Sequence, residues 1–415
     1  MTAYRRPTRV ALLAVALLAA TSCSTKASES SGTTTETGGV KTGPGISGTT
    51  ITLGALTDLT GVFAALGKDI TNSQTLFWDE QNAKGGICGK FQVKMNVKDH
   101  GYVTQQGVQL YSSLRTDALA IQQTIGSPIN TALEPQLIAD KMVNFPSAWA
   151  ASLTKNPENA VVGATYEIEQ INVLDYLLEQ GKIKQGDKIG HIYFEGEYGE
   201  GGLQGSKYVA GKHGMTVVEA KIKSTDADMT AQVTQFKAQG VKAIALTVAP
   251  GQTASAAGVA AAQGLDVPIA GNNPVFSPGL LEGPAGTVLK KNLYVASPVA
   301  SFETQPELLK AYSAKYPGNP TLGVVSGTSA AETMRQFLEK ACANGDLTRE
   351  GVTAAKNTIG KVDTGGLAVP LDFTEVGKSP SLKSYILQAA DVPGGAKSVA
   401  DLYEGPDAAG FTPAG

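Results

Sequence analysis

Apolar and polar positions follow one another along this chain in two rhythms, and the clearest example lies between Ile51 and Asp99. Ile51 to Leu56 is a short apolar run with the length and punctuation of a buried strand. It breaks at Asp58-Leu59-Thr60-Gly61, polar and glycine residues that suit a tight turn and a helix start. Leu66, Ile70 and Phe77 then recur at helical spacing. Lys84-Gly85-Gly86 ends that helix, because glycine accepts the left-handed conformation at low cost. From Phe91 to Val97 the pattern alternates, with Phe91, Val93, Met95 and Val97 on one face and Gln92, Lys94 and Asn96 on the other. Strand, helix, strand is one βαβ unit, and it predicts a parallel sheet.

The alternation continues. A helix is predicted over Val103 to Arg115, a strand over Ala118 to Ile125, a helix over Ala132 to Asp140 and a strand over Met142 to Phe145. Three strands thereby end in loops on one edge, at Asp58–Phe63, Ser127–Thr131 and Ser147–Trp149. Ligands of open α/β sheets bind beyond the carboxyl ends of the strands. A second array follows a crossing between Asn156 and Glu169. Its predicted strands are Lys188 to Phe194, Met215 to Ala220, Ala243 to Val248 and Pro268 to Ala270. Helices over Ile171–Gln180, Leu203–His213, Ala231–Gln239 and Thr253–Gln263 alternate with them. The chain is expected to cross back near Val295–Val299, to form helices over Glu307–Tyr316 and Ala330–Ala341, and to cross a third time near Gly365-Gly366. A β-rich piece over Leu371–Leu387 follows. The fold class is therefore α/β, two doubly wound parallel-sheet lobes joined by a three-stranded hinge. Lobe 1 takes residues 49–165 and 298–365; lobe 2 takes 166–297 and 366–415.

Composition adds bounds. The chain of 415 residues is long enough for two domains. A net charge of −3 sets up no strong field for nucleic acid or anionic membrane. Arg5, Arg6 and Arg9 precede an apolar run from Val10 to Ala20, too short for the roughly 20 residues a bilayer span needs and ordered like a signal peptide. Thr21-Ser22-Cys23 resembles a bacterial lipobox, with Ala20 where leucine is commonest. Residues 1–23 thus read as a lipoprotein signal peptide ending at a lipidation site, Cys23, rather than a plain signal peptide with an incidental cysteine. Ser24 to Gly48 is rich in Ser, Thr and Gly and reads as a disordered tether.

One segment carries a family resemblance. The Thr60-Gly61 turn after a strand, the helix closing on Asn82-Ala83-Lys84-Gly85-Gly86-Ile87 and Gly89, the strand ending at Asp99, and the later Tyr198-Gly199-Glu200-Gly201 together resemble the leucine/isoleucine/valine-type periplasmic binding proteins. These are the solute receptors of ABC importers. The resemblance implies the two-lobed type I fold, capture of a small polar or aromatic solute by lobe closure, and partnership with a membrane permease and ATPase. It implies a monomer at the cell surface, held outside the cytoplasm by its lipid anchor, with no cofactor, metal or nucleic acid. It further implies that Cys342, on a late helix returning to the first lobe, lies near Cys88. The two are expected to form a disulfide, the alternative being two buried small hydrophobes.

The resemblance also names the contact set: Phe63, Ser127, Asn130, Thr131, Ala148, Trp149, Tyr198 and Asn273, with Phe276 added. Ser127, Asn130 and Thr131 stand at a helix start, where free N–H groups and small hydroxyls can hold a carboxylate, although Asn130 and Thr131 could simply cap the helix. Trp149 takes the place of a small polar residue, as a stacking wall or as a ring packed under its loop. Tyr198 is a cleft residue by resemblance and a surface tyrosine otherwise. Amino-acid-binding relatives place an acid near Asn273 to pair with the ligand's ammonium. Neutral Asn272 and Asn273 suggest a ligand without one, unless Glu195 or Glu197 supplies the charge. Gly196 to Gly202 is glycine-rich but lacks the G-x-G-x-x-G spacing of a dinucleotide loop, and its glutamates would repel phosphate.

Enzyme chemistry finds no support. There is no H-E-x-x-H and no G-x-S-x-G, and His100, His191 and His213 are scattered. The alternative function is a sensor of the same fold that reports an amide or other metabolite to a regulatory partner.

Overall fold

The computed structural model describes residues 34–413. The signal peptide and Cys23 lie outside them. The described chain opens with a hairpin, β1 (Thr35–Thr37) antiparallel to β2 (Val40–Thr42), turned at Gly38-Gly39. Val40 and Thr42 are buried, and β3 (Ile46–Ser47) pairs antiparallel with the next strand. The tether expected through Gly48 is therefore corrected: residues 34–48 are folded. Alternate inward positions in a short strand were enough to dock it, despite a composition dominated by small polar residues.

The first sheet is built by β4 (Thr50–Thr57), α1 (Ala64–Ala83), β5 (Gln92–Asp99), α2 (Thr104–Leu114), β6 (Ala120–Ile125), α3 (Ser127–Asp140) and β7 (Asn144–Ser147). Its order is β5-β4-β6-β7 with parallel pairing throughout. β4 is buried along nearly its whole length because helices cover both faces. The second array contains α4 (Tyr166–Glu179), β8 (Lys188–Phe194), α5 (Glu197–Lys212), β9 (Thr216–Ile222), α6 (Thr230–Gln239), β10 (Ala243–Thr247), α7 (Pro250–Ala262), β11 (Ile269–Asn272), α8 (Gly286–Asn292) and β12 (Leu293–Ser297). The chain then returns to the first sheet's side with α9 (Pro306–Lys315), α10 (Gly323–Ala343), β13 (Asp346–Leu347), α11 (Arg349–Ile359), β14 (Lys361–Val362) and β15 (Leu371–Asp372). β13 pairs with β2, and α10 packs along α1. β16 (Ser384–Ala389) and β17 (Ala396–Tyr403) finish the second sheet, whose order is β9-β8-β10-β11-β12-β16-β17. Only its last two pairings, β12 with β16 and β16 with β17, are antiparallel.

Three segments link the two sheets, after β7, after β12 and after β15. The first two touch where Gly163 passes Pro298. A Cβ on Gly163 would fall 2.3 Å from Pro298, and its φ of +145° also favours glycine. Residues 298–300 pair with 367–369. The third link lies later than Gly365-Gly366. β15 turns back onto β14, Phe373 packs against Phe337 of α10, and Gly377 donates to the Thr154 carbonyl. Only near Ser379–Ser384 does the chain meet α4, where Ser379 accepts from Thr165 and Asn172 binds Leu382 and Ser384. The paired glycines mark a turn, which the sequence pattern cannot distinguish from a crossing.

Several helices start earlier than expected. α3 begins at Ser127, α5 at Glu197 and α10 at Gly323. Each opening turn holds glycine, proline or small polar residues, which read as loop until a buried neighbour stabilises the helix. Cys88, in the turn after α1, is bonded to Cys342 of α10, with Sγ atoms 2.00 Å and Cα atoms 6.4 Å apart.

Candidate ligand-binding cleft

The carboxyl ends of both sheets face one cavity. The space free of protein atoms there, open solvent included, is about 840 Å³. From the first sheet, Asp58 at the end of β4 is fully buried and accepts from the N–H groups of Thr60, Gly61 and Phe63. That cluster fixes the turn presenting Phe63. Gly126 (φ +97°) follows β6, a Cβ there would strike Ile129 and Tyr102, and Ser127 opens α3 beside it. β7 delivers Ser147 and Trp149. From the second sheet come Tyr198 in the first turn of α5, Asn273 and Phe276 after β11, Val295 and Ser297 of β12, and Leu387 of β16. The N-terminal turn of α10 adds Gly323 and Ser326, with Leu322 just before it.

Aromatic rings form much of the wall. Phe63 meets Tyr102 at 5.0 Å and Tyr198 at 6.2 Å between centroids, Tyr198 meets Tyr166 at 4.7 Å, and Tyr166 meets Trp149 at 6.0 Å. The Tyr198 hydroxyl lies 2.9 Å from the Val248 carbonyl and 3.0 Å from Asn272 Oδ1. Trp149 Nε1 donates to the Val162 carbonyl at 2.9 Å. Trp149 is thus both a wall and a ring anchored under its loop. Burial pushes the Tyr102, Tyr166 and Tyr198 hydroxyls well above the usual phenol range, so all three stay protonated donors. Ser127 Oγ faces the Tyr166 hydroxyl without a close hydrogen bond.

Among the described residues, no Asp, Glu, Lys or Arg lines the cavity. Acids stand behind it. Glu169 of α4 is buried and accepts from the Asn273 N–H at 3.2 Å. Burial pushes it well above the usual carboxylate range, which favours the neutral acid, and the bonds from Asn273 only partly offset this. Glu167 accepts from the Ala151 N–H at 3.2 Å, and burial pushes it up to about 7.

Of the residues expected in contact, Phe63, Ser127, Trp149, Tyr198, Asn273 and Phe276 line the cavity, whereas Asn130, Thr131 and Ala148 do not. Asn130 is buried beneath Ser127. Its amide donates to the Thr124 and Gly126 carbonyls, and its Oδ1 accepts from Asn144. Because α3 starts at Ser127, Asn130 sits one turn in and points back at the strand ends. Thr131 follows it around the helix, and Ala148 is fully buried behind the wall. Asn272 is also buried, so of the two asparagines only Asn273 reaches the cleft. Glu195 and Glu197 do not line it. Tyr102 and Tyr166 were not anticipated. Tyr102 follows a strand end, which was a usable signal; Tyr166 opens a helix and carried none.

The histidines are structural or remote. His191 Nε2 lies 2.8 Å from Thr247 Oγ1, and burial lowers its pKa to about 3. His100 Nδ1 accepts from the Tyr102 N–H at 3.0 Å. His213 pairs with Asp407 at 2.9 Å, away from the cavity. Tyr198-Gly199-Glu200-Gly201 lies within α5, which corrects the glycine-rich loop expected there.

A family model described as periplasmic binding protein matches residues 50–396. The solved structure of a fatty acid ABC transporter substrate-binding protein from Thermomonospora curvata is 42% identical, with a TM-score of 0.87 over 90% of this chain and 97% of that one. A branched chain amino acid ABC transporter protein from Thermus thermophilus with bound valine shares the fold at 18% identity and a TM-score of 0.76, over 86% of this chain and 97% of that one. Among curated relatives, the Leu/Ile/Val-binding protein BraC3 of Rhizobium johnstonii is 27% identical over 202 residues, 47% of this chain and 53% of BraC3. The chain spans about half the length of the curated relatives it matches. The matching residues, the two facing sheets and the uncharged cleft between them lead to one conclusion: the chain belongs to the periplasmic binding protein family, a family of receptors rather than enzymes, with the type I fold.

Proposed function

We propose that this protein is the extracytoplasmic substrate-binding component of an ABC importer, and that its solute is a carboxylic acid with an extended apolar body and no ammonium group. The carrying observation is the cleft wall: aromatic and aliphatic side chains from both sheets, hydroxyls at a few points and, among the described residues, no charged one. Burying a free ammonium there without a partner would cost several kcal/mol, roughly what cancels the binding of a small amino acid. A carboxylate is better served. The N-terminal turn of α3, the Ser127 hydroxyl and the Tyr102 and Tyr166 hydroxyls offer donors and a favourable helix-dipole field. The similarity to a protein named for fatty acids supports the same reading.

Phe63, Leu66, Ile70, Val295, Leu322 and Leu387 then take the apolar body, each buried CH₂ contributing about 0.8 kcal/mol. Only a closed arrangement contacts the solute from both lobes, so binding shifts an open–closed equilibrium toward the form a permease receives. A lipid on Cys23 would keep the receptor beside that permease, and lobe boundaries near residues 165, 298 and 380 would carry the hinge. The test is a thermal-shift series with saturated fatty acids of graded length, aromatic acids, and leucine, isoleucine and valine. A rise in melting temperature that grows with chain length supports the proposal. A rise confined to the amino acids defeats it.

A further inference from the structure

We propose that Asp175, His213 and Asp407 form a binding site for a zinc-class divalent cation at the end of the second lobe remote from the cleft. One ligand atom from each of the three lies within 4.8 Å of the others. Asp175 is in the last part of α4, His213 immediately follows α5, and Asp407 is on the C-terminal segment. α4 and α5 both begin at the cleft, with Tyr166 and Tyr198, and run away from it. At a rise of about 1.5 Å per residue, Asp175 is some 13 Å and His213 some 22 Å further along.

The cluster is built rather than incidental. Asp175 is 1% exposed, and its Oδ1 has no hydrogen-bond partner. A buried carboxylate oxygen without a donor is costly, and a cation is one of the few groups that satisfies it. Its other oxygen accepts from the Asp407 N–H at 3.0 Å, which orients the carboxylate into the cluster. Gly405 lets the C-terminal segment approach: a Cβ there would sit 2.4 Å from Asp175 Oδ2. Asn172 Oδ1 holds Gly405 in place by accepting from its N–H at 2.9 Å.

His213 and Asp407 remain partly exposed, at 24% and 16% of their side-chain surface, which leaves a route for a cation and for water as a fourth ligand. His213 Nε2 and Asp407 Oδ2 already lie 2.9 Å apart, so the cation would replace the proton between them. One imidazole and two carboxylates suit zinc and its neighbours better than calcium or magnesium, which prefer all-oxygen shells. Bound there, the ion would fasten the segment around Asp407 to α4 and α5. The scattered histidines of the sequence gave no hint of this, because the three ligands come together only through the return of the C-terminus.

The experiment uses the full mature chain stripped with a chelator, titrated with zinc by calorimetry and with cobalt by visible absorption. The expected result is one ion per chain at micromolar zinc, with the intense cobalt bands of a four-coordinate nitrogen–oxygen site. Asp175→Asn and His213→Gln should each weaken zinc binding at least about tenfold, with fatty acid binding unchanged. Asp407→Asn serves if either of these fails to fold. Zinc uptake only at millimolar concentration, or uptake equal in the wild type and the variants, would show an ordinary ion pair and overturn the proposal.

Discussion

The Tyr198 hydroxyl is already occupied by Val248 and Asn272, so the residue offers the ligand its ring. Tyr198→Phe should lower stability by about 1–3 kcal/mol in urea unfolding, because a buried acceptor loses its donor, while ligand affinity changes no more than a few-fold. Glu167 gives a pH signature. Its folded pKa is raised to about 7, above an unfolded value near the ordinary 4.5, so the folded state holds an extra proton between those limits. Stability from this residue is complete below about pH 4.5, falls as pH rises towards 7, and stays reduced above it, by about 3 kcal/mol in total. Glu167→Gln should therefore gain on the wild type across that window, and parallel stability curves would contradict the assignment. Strand ends made Phe63, Ser127 and Asn273 legible from sequence. Asn130 was misread because its orientation depends on where α3 begins, and composition alone could not locate that turn.

α5 explains the most distinctive motif of the chain in packing terms. Gly199, Gly202 and Gly205 recur every third residue, and a Cβ on each would meet the Phe194 carbonyl at 1.8 Å, Thr247 Oγ1 at 2.2 Å and the Glu167 carbonyl at 2.5 Å. The glycines let the helix lie directly on β8, β10 and α4, which sets Tyr198 at the cleft. Gly199→Ala should cost about 1–3 kcal/mol and weaken ligand binding together with stability, because the backbone of β8 cannot yield. A thermal melt and a binding isotherm on the same variant check both. The bond between Cys88 and Cys342 ties the turn after α1 to α10 across 254 residues of sequence. Cys88→Ser with Cys342→Ser should lower stability by about 2–5 kcal/mol in denaturant titration, with no effect under reducing conditions. Element types followed from hydrophobic period, and the βαβ alternation was plain. The folded β1–β2 hairpin was not, because a docking partner decides its order and β13 lies some 300 residues away.

At the scale of the whole molecule, two doubly wound sheets meet over a cavity that neither closes alone, and three segments link them. The family was legible in a few residues around Gly85-Gly86 and Tyr198. The chemistry of the cavity was legible only in part. Asn273 pointed away from an ammonium ligand, but the apolar depth supplied by Leu66, Ile70, Val295, Leu322 and Leu387 came from residues that read as ordinary core. Helix and strand periodicity marks what is buried without telling a core from a ligand cavity. The most direct measurement is calorimetry of the delipidated protein with a long saturated fatty acid and, separately, with leucine. The account predicts one fatty acid per chain at micromolar affinity or tighter, a negative heat-capacity change from apolar burial, and no detectable heat with leucine. Tight leucine binding with no response to the fatty acid would contradict it.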